Sequence, residues 1–192
     1  MPTQARARVT WNSILDAAAQ VLVAEGYARA TTDRIAERAG VSVGSVYEYF
    51  PKKEAIFASL LLRWNEERWK VFSDARNNND VDGLESSIRN TVRARILATR
   101  INPALNTALR RELPASVTEE QARQIHDEFL ETAVATLAPY APAGRDPRLM
   151  AELMTHATHA VIEGLAASNP DLLASSDLED ELTLMMVSYL KC

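Results

Sequence analysis

The sequence predicts an all-α protein, and three observations predict it. No segment shows sustained apolar–polar alternation of period two, so no strands are expected. Helix formers dominate, and apolar residues recur at spacings of three and four. Glycine, proline and capping residues divide the chain into about nine helices. With 192 residues, 47% of them apolar, the chain can bury a core and is too apolar for disorder.

The first helix is expected from about Thr10, as N-cap, to Glu25, with Ile14, Leu15, Ala17, Ala18, Val21 and Leu22 facing inward. Gly26 ends it. A second helix runs from Thr32 to Ala39, capped by Thr31 or Thr32 and stopped by Gly40. A third, Val43 to Tyr49, has Ser42 as N-cap and ends before Pro51. The fourth, from about Lys52 to Arg76, is long enough to bridge two domains and is followed by an Asn-rich loop, 77–80. Further helices are expected over Val81–Ile101, Ala104–Glu112 and Ser116–Ala138, then a Pro-rich loop. Asp146-Pro147 is a cap followed by Pro at the first helical position, and opens an eighth helix to Ser168. Ser176 to Glu179 reads as a capping box opening the last helix, to Leu190.

Charge is unevenly spread. Residues 1–53 carry seven Lys/Arg against five Asp/Glu, and residues 54–192 carry fourteen against twenty-one. The first segment is therefore mildly basic inside a chain of net charge −5, a weak pointer to a polyanion-binding segment beside an acidic domain. No apolar run approaches the roughly 18 residues of a membrane span. Met1 to Thr10 is polar, unlike a secretory leader, so a cytoplasmic protein is expected. Cys192 is the sole cysteine, which excludes an internal disulfide and a Cys-based zinc site. There is no Gly-rich phosphate loop or Cys nucleophile, and His126, His156 and His159 lack a Ser/Asp context. Neither an enzyme nor a cofactor is expected.

Thr31 to Lys53 is the informative stretch. Two short helices meet at Ala39-Gly40-Val41-Ser42, where Gly40 permits the bend. Ile35, Ala36, Ala39, Val41 and Val46 face inward, and the small alanines let the helices cross closely. This is helix-turn-helix geometry over about 31–50, in which the second helix enters a major groove.

The same residues carry a family resemblance. Ile14-Leu15-Asp16-Ala17-Ala18, Gly26-Tyr27, Thr31-Thr32, Ile35-Ala36, Ala39-Gly40-Val41-Ser42, Gly44-Ser45, Tyr47, Tyr49-Phe50 and Lys53-Glu54 stand in order and almost without gaps over about residues 8–68. The segment resembles the DNA-binding domain of the TetR family of transcriptional regulators. The resemblance implies a homodimer, with 8–68 binding operator DNA and 69–192 binding a small-molecule effector and dimerising. It implies a repressor released from a palindromic operator by an inducer; an activator of the same family, or a helical interaction module that does not bind DNA, are the alternatives. Thr31, Thr32 and Lys53 would meet phosphate, Tyr47 and Tyr49 the backbone, and Ser42 to Ser45 the base edges.

The reading helix is chemically lean. Val43, Gly44, Ser45 and Glu48 include none of the Arg, Lys, Asn or Gln that make bidentate base contacts. Gly44 permits close approach, Val43 suits a thymine methyl, and Glu48 can accept from cytosine. Arg6 and Arg8, on a flexible N-terminal arm, are expected to add affinity. Phe50 reads as core.

In the second domain, Trp64, Trp69, Phe72, Arg93 and Leu97 are candidate pocket residues, with Leu105, Leu109 and Phe129. The eighth helix offers Met150, Met154, Ala157, Val161 and Leu165 to a dimer interface, and the ninth offers Leu178, Leu182, Met185 and Tyr189. Glu152, His156, His159 and Glu163 form one stripe, read first as interface or pocket polarity, with His156 and His159 assigned to the pocket. A divalent metal is the lesser reading, and no metal site is assigned. Arg89, Arg93 and Arg100 share a face that reads as solvated.

Overall fold

A computed structural model describes residues 4–77 and 83–191. Among them are nine α-helices, two 3-10 turns and no strand. The helices are α1 (Ala5–Glu25), α2 (Thr32–Ala39), α3 (Val43–Tyr49), α4 (Lys53–Asn77), α5 (Leu84–Thr99), α6 (Pro103–Glu112), α7 (Ala115–Leu137), α8 (Pro147–Ser168) and α9 (Ser176–Lys191). The 3-10 turns, Ala138–Tyr140 and Pro170–Ala174, occupy segments expected to be loops. No helix among the described residues is long and apolar enough to cross a membrane.

Three starts differ from expectation. α1 begins at Ala5, and Thr10 lies inside it, its hydroxyl donating to the Arg6 carbonyl at 3.4 Å. Nothing in 5–9 breaks a helix, and its two alanines and two arginines favour one. Arg6 and Arg8 therefore ride exposed on the first turns of α1, not on a free arm. α5 starts at Leu84, after Gly83 at φ 94°; the expected start at Val81 lies outside the described residues. At α9 the cap is Ser175, whose Oγ accepts the Asp177 N–H at 3.1 Å.

The chain divides into two compact units, Met1–Asn65 with Ala104–Arg123, and Glu66–Pro103 with Gln124–Cys192. The expected boundary at 68/69 falls just past the first break, inside α4. The larger difference is 104–123, expected in the second domain. Leu105, Leu109, Leu113 and Val117 recur every four residues and bury themselves in the first unit's core.

That core is built on Ile14, Leu15, Val21 and Leu22 of α1, Ile35 and Ala36 of α2, Val46 of α3, and Ile56, Phe57, Leu60 and Trp64 of α4. Phe50, 1% exposed, stacks on Trp11 with centroids 4.1 Å apart. In the second unit, Ile88 and Val92 of α5, Met150, Met154 and Ile162 of α8, and Leu182, Met186 and Leu190 of α9 form the core. Trp69, Phe72 and Phe129 make an aromatic cluster with centroids 4.8–5.5 Å apart.

Phe50→Ala should lower unfolding free energy by about 3–5 kcal/mol, the cost of emptying a buried aromatic site. Urea denaturation of the variant checks this; a loss below about 1 kcal/mol would mean that Phe50 is not a keystone of the first unit.

Candidate nucleic-acid interface and effector cavity

The helix-turn-helix is fixed by its caps. Thr31 Oγ1 accepts the Arg34 N–H at 3.3 Å and so starts α2. Gly40 ends α2 in the left-handed conformation, φ 68° and ψ 31°, and the Val41 N–H returns to the Ala36 carbonyl at 3.1 Å. Ser42 Oγ accepts the Ser45 N–H at 3.0 Å and lies 2.8 Å from the Ser45 hydroxyl. Each cap is worth about 1 kcal/mol. Arg34 pairs with Glu25, and Arg38 donates to Gln20 at 3.3 Å, so α2 is also tied to α1 through its outer side chains.

This frame turns one side of α3 outward. Ser42, Gly44, Tyr47 and Glu48 are exposed, and Tyr47 is 53% exposed although it is a large aromatic. Val43 and Tyr49 are half-buried against the core, with Tyr49 edge-on to Trp11, so both reach the surface with only part of their side chains. Ser45 is half-buried. Thr31 is exposed and Thr32 half-buried beside it. Lys53, at the first position of α4, donates to the Tyr27 carbonyl at 3.0 Å, and its ammonium lies 4.0 Å from that ring's centre. The contact orients Lys53 rather than leaving it to sweep solvent. Tyr27 packs on Phe57, and burial, then the neighbouring Glu54, raises its phenol pKa.

Gly44 has an ordinary negative φ, and a Cβ there would meet nothing nearer than Ser42 Oγ at 3.7 Å. The fold does not require this glycine.

The second unit holds a cavity walled by five helices: Phe72 of α4, Val92 and Arg95 of α5, Phe129 and Leu137 of α7, Met154 and Thr158 of α8, and Met186 of α9. It offers about 50 Å³, room for a few waters. Threonines 91, 136 and 158 also line it, but each hydroxyl donates to the carbonyl four residues earlier, at 2.7–2.9 Å. The charged residue in this wall of apolar side chains and threonines is Arg95. It is 9% exposed, donates to the Thr155 carbonyl at 3.0 Å, and lies 4.8 Å from the centre of the Phe129 ring. Burial, and then Arg68, lower its pKa to about 10 against the pull of Glu163. Glu163 is itself buried and accepts from Arg68 at 2.8 Å.

Of the expected pocket residues, Phe72 and Phe129 line this cavity and Trp69 packs behind them. Trp64, Leu105 and Leu109 sit instead in the first unit's core. Arg93 points away and makes a two-bonded pair with Glu179 at 2.7 and 3.0 Å; with Arg89, which pairs with Asp180, it ties α5 to α9. Leu97 is 40% exposed, and His156 and His159 are exposed outside the cavity. Arg95 was missed; the signal available was an arginine amid Val92, Ala94 and Ile96 on a helix's apolar face.

The expected dimer stripe also shifts. Met150, Met154 and Leu182 are buried in the second unit's core, and Leu165, Leu178 and Tyr189 pack half-buried against it, Tyr189 beneath Arg145. Ala157, Val161 and Met185 are exposed. They are joined on the outside by Leu149 and Leu153 of α8 and Leu184 of α9, each more than half exposed.

Fold and site together define a helix-turn-helix regulator with a cavity-bearing helical unit. A model of the tetR family of bacterial regulatory proteins matches residues 14–60, and a model of the tetracyclin repressor-like C-terminal domain matches residues 83–190. The chain belongs to the tetR family. The A-factor receptor protein of Streptomyces griseus is 48% identical over 61 residues, 32% of this chain and 22% of that protein. The fatty acid metabolism regulator protein of Bacillus subtilis is 42% identical over 53 residues, 28% of this chain and 27% of that one. This chain thus spans about a quarter of the length of these curated relatives. Among solved structures, the fatty acid degradation regulator FadR of Bacillus halodurans superposes with a TM-score of 0.77 at 20% identity, covering 97% of this chain and 96% of that one. FadR of Bacillus subtilis, solved in complex with stearoyl-CoA, gives 0.74 at 20% identity, covering 93% and 98%. At that identity the likeness establishes the fold.

Gly44→Ala should raise stability by about 0.5–1 kcal/mol, as for alanine over glycine within a helix. It should weaken DNA binding, because the methyl group stands on the outward side. Thermal unfolding and gel shifts on one preparation check both; unchanged DNA affinity removes Gly44 from the interface.

Proposed function

We propose that the protein is a dimeric, effector-released transcriptional repressor acting in the cytoplasm, and a binding protein rather than an enzyme. The observation that carries the reading is the outward ridge of Ser42, Gly44, Tyr47 and Glu48, held by a fully buried Val46 and Phe50. A major groove, about 12 Å wide, admits an α-helix presented in this way. Ser42, Ser45, Gly44 and Val43 approach the bases; Thr31, Thr32, Tyr47, Tyr49 and Lys53 hold the phosphate backbone. Arg6 and Arg8 add positive charge from the start of α1. Two copies pair through the exposed apolar side of α8 and α9, including Leu153, Ala157, Val161 and Met185, as dimers are typical of the family, and read two half-sites.

The effector enters the cavity at Phe72, Arg95 and Phe129. Its polarity follows from the wall: a mainly apolar body with an acidic group that meets Arg95, the charged residue lining it. Stearoyl-CoA, the ligand of the Bacillus subtilis neighbour, has that general character. The present 50 Å³ is far below the roughly 300 Å³ that a small-molecule site needs, so binding must spread the surrounding helices. Expansion is then the event that α4, continuous from Lys53 to Asn77, transmits toward the DNA-binding unit.

Gel shifts with the protein's own upstream DNA over a salt series test the first part. A specific complex whose affinity falls steeply with salt supports the reading, and no specific complex at low salt contradicts it. Arg95→Leu tests the second. The variant should keep its fold and DNA binding, since replacing a buried charge by an apolar group is often neutral or stabilising. It should lose tenfold or more in affinity for acidic amphipathic compounds, roughly the 1.5–3 kcal/mol of a charge-assisted hydrogen bond. Equal response of wild type and variant to such compounds rules out Arg95 as the head-group partner.

A further inference from the structure

The four-residue stripe on α8 does not act as a unit. Glu163 turns inward to Arg68, while Glu152 and His156 meet His126 of α7. His126 Nε2 lies 3.1 Å and His156 Nε2 3.3 Å from the same atom, Glu152 Oε1. The two imidazoles stack at 4.9 Å with planes 26° apart, and the three ligand atoms all lie within 4.8 Å of one another.

We infer that His126, Glu152 and His156 form a binding site for a divalent transition metal of the zinc class. Zinc bonds of about 2.0–2.2 Å to nitrogen and oxygen, set tetrahedrally, place neighbouring ligand atoms roughly 3.3–3.5 Å apart. Two edges of that tetrahedron already stand near those lengths. Glu152 and His156 are one helical turn apart on a 22-residue helix, so their backbone spacing is rigid, and His126 alone must adjust. Two imidazoles and one carboxylate suit zinc, nickel or cobalt rather than magnesium or calcium, which take oxygen ligands. The site opens to solvent through His156, 63% exposed, which leaves the fourth position to water.

Arg148 is a cation beside Glu152. It is drawn to Glu131 at 2.8 Å, and Glu152 and Asp127 contribute to holding its charge. An ion at the site meets an acidic rim as well as its three ligands. It would also cross-link α7 to α8 on the flank of the apolar side assigned above to dimerisation, although the metal site stands whether or not that assignment does.

The test is calorimetric titration of tag-free, full-length protein with Zn²⁺, alongside the visible absorption of Co²⁺. One ion per chain is expected, with the absorption of four-coordinate cobalt and an upward shift in melting temperature. His126→Ala and His156→Ala should each lose more than the roughly 10–100-fold that removal of a merely supporting residue brings. His159→Ala, outside the cluster, should bind as the parent does. Circular dichroism establishes that the variants are folded. No saturable binding by the parent protein, or equal binding by the His126→Ala/His156→Ala double variant, overturns the proposal.

Discussion

The structure depends on a helix too short to stand alone. α3 has seven residues, and isolated helices under about 12–15 residues are marginal in water. It persists because Val46 is buried at its centre, Phe50 is buried immediately after it, and Ser42 caps its start. Those anchors also settle its rotation: with Val46 and Phe50 inward, Gly44, Tyr47 and Glu48 must face out. Stability and presentation are thus one interaction. The same burial that holds the helix aims its outer side at a partner.

The second unit poses the reverse problem, a charge kept where water is scarce. Arg95 lies among Phe129, Val92 and Met154, with its guanidinium on a backbone carbonyl and an aromatic face. A fold selected for stability alone has no need of this arrangement, since an apolar side chain would pack as well. The acidic effector proposed above gives it a role. The cavity is walled by helices, so filling it as proposed moves packed helices rather than a loop. α4 and α7 each continue from one compact unit into the other, the covalent link on which the proposed release from DNA relies. A ligand can shift the DNA-binding equilibrium only by its differential affinity for the two arrangements.

How much was legible in the sequence follows from where the information lay. The helix-turn-helix was read nearly to the residue, because Thr31, Gly40, Ser42 and Pro51 are local signals that act on their own backbone. The start of α1 was missed because Thr10 is a good cap that the chain does not use. The cavity's lining is less legible in the sequence for a different reason. Trp64 and Phe72 lie on one helix, both aromatic and both buried, yet they serve different cores, and periodicity cannot say which. α8 is apolar on two sides, so the stripe expected at the dimer surface, Met150 and Met154, proved to be the inner one, and Leu149 and Leu153 lie outside. His126 meets Glu152 from 26 residues away with no motif between them, and only the fold brings them together.

On the proposed reading, the outer side of α3 is presented twice, by a symmetric pair, to one side of a duplex. Hydroxyl-radical footprinting of the protein on its upstream DNA examines this most directly. Two protected patches related by a dyad are expected on the same side of the DNA, with centres about 10 base pairs or a multiple of it apart. A single unpaired patch, or protection on opposite sides of the duplex, contradicts it.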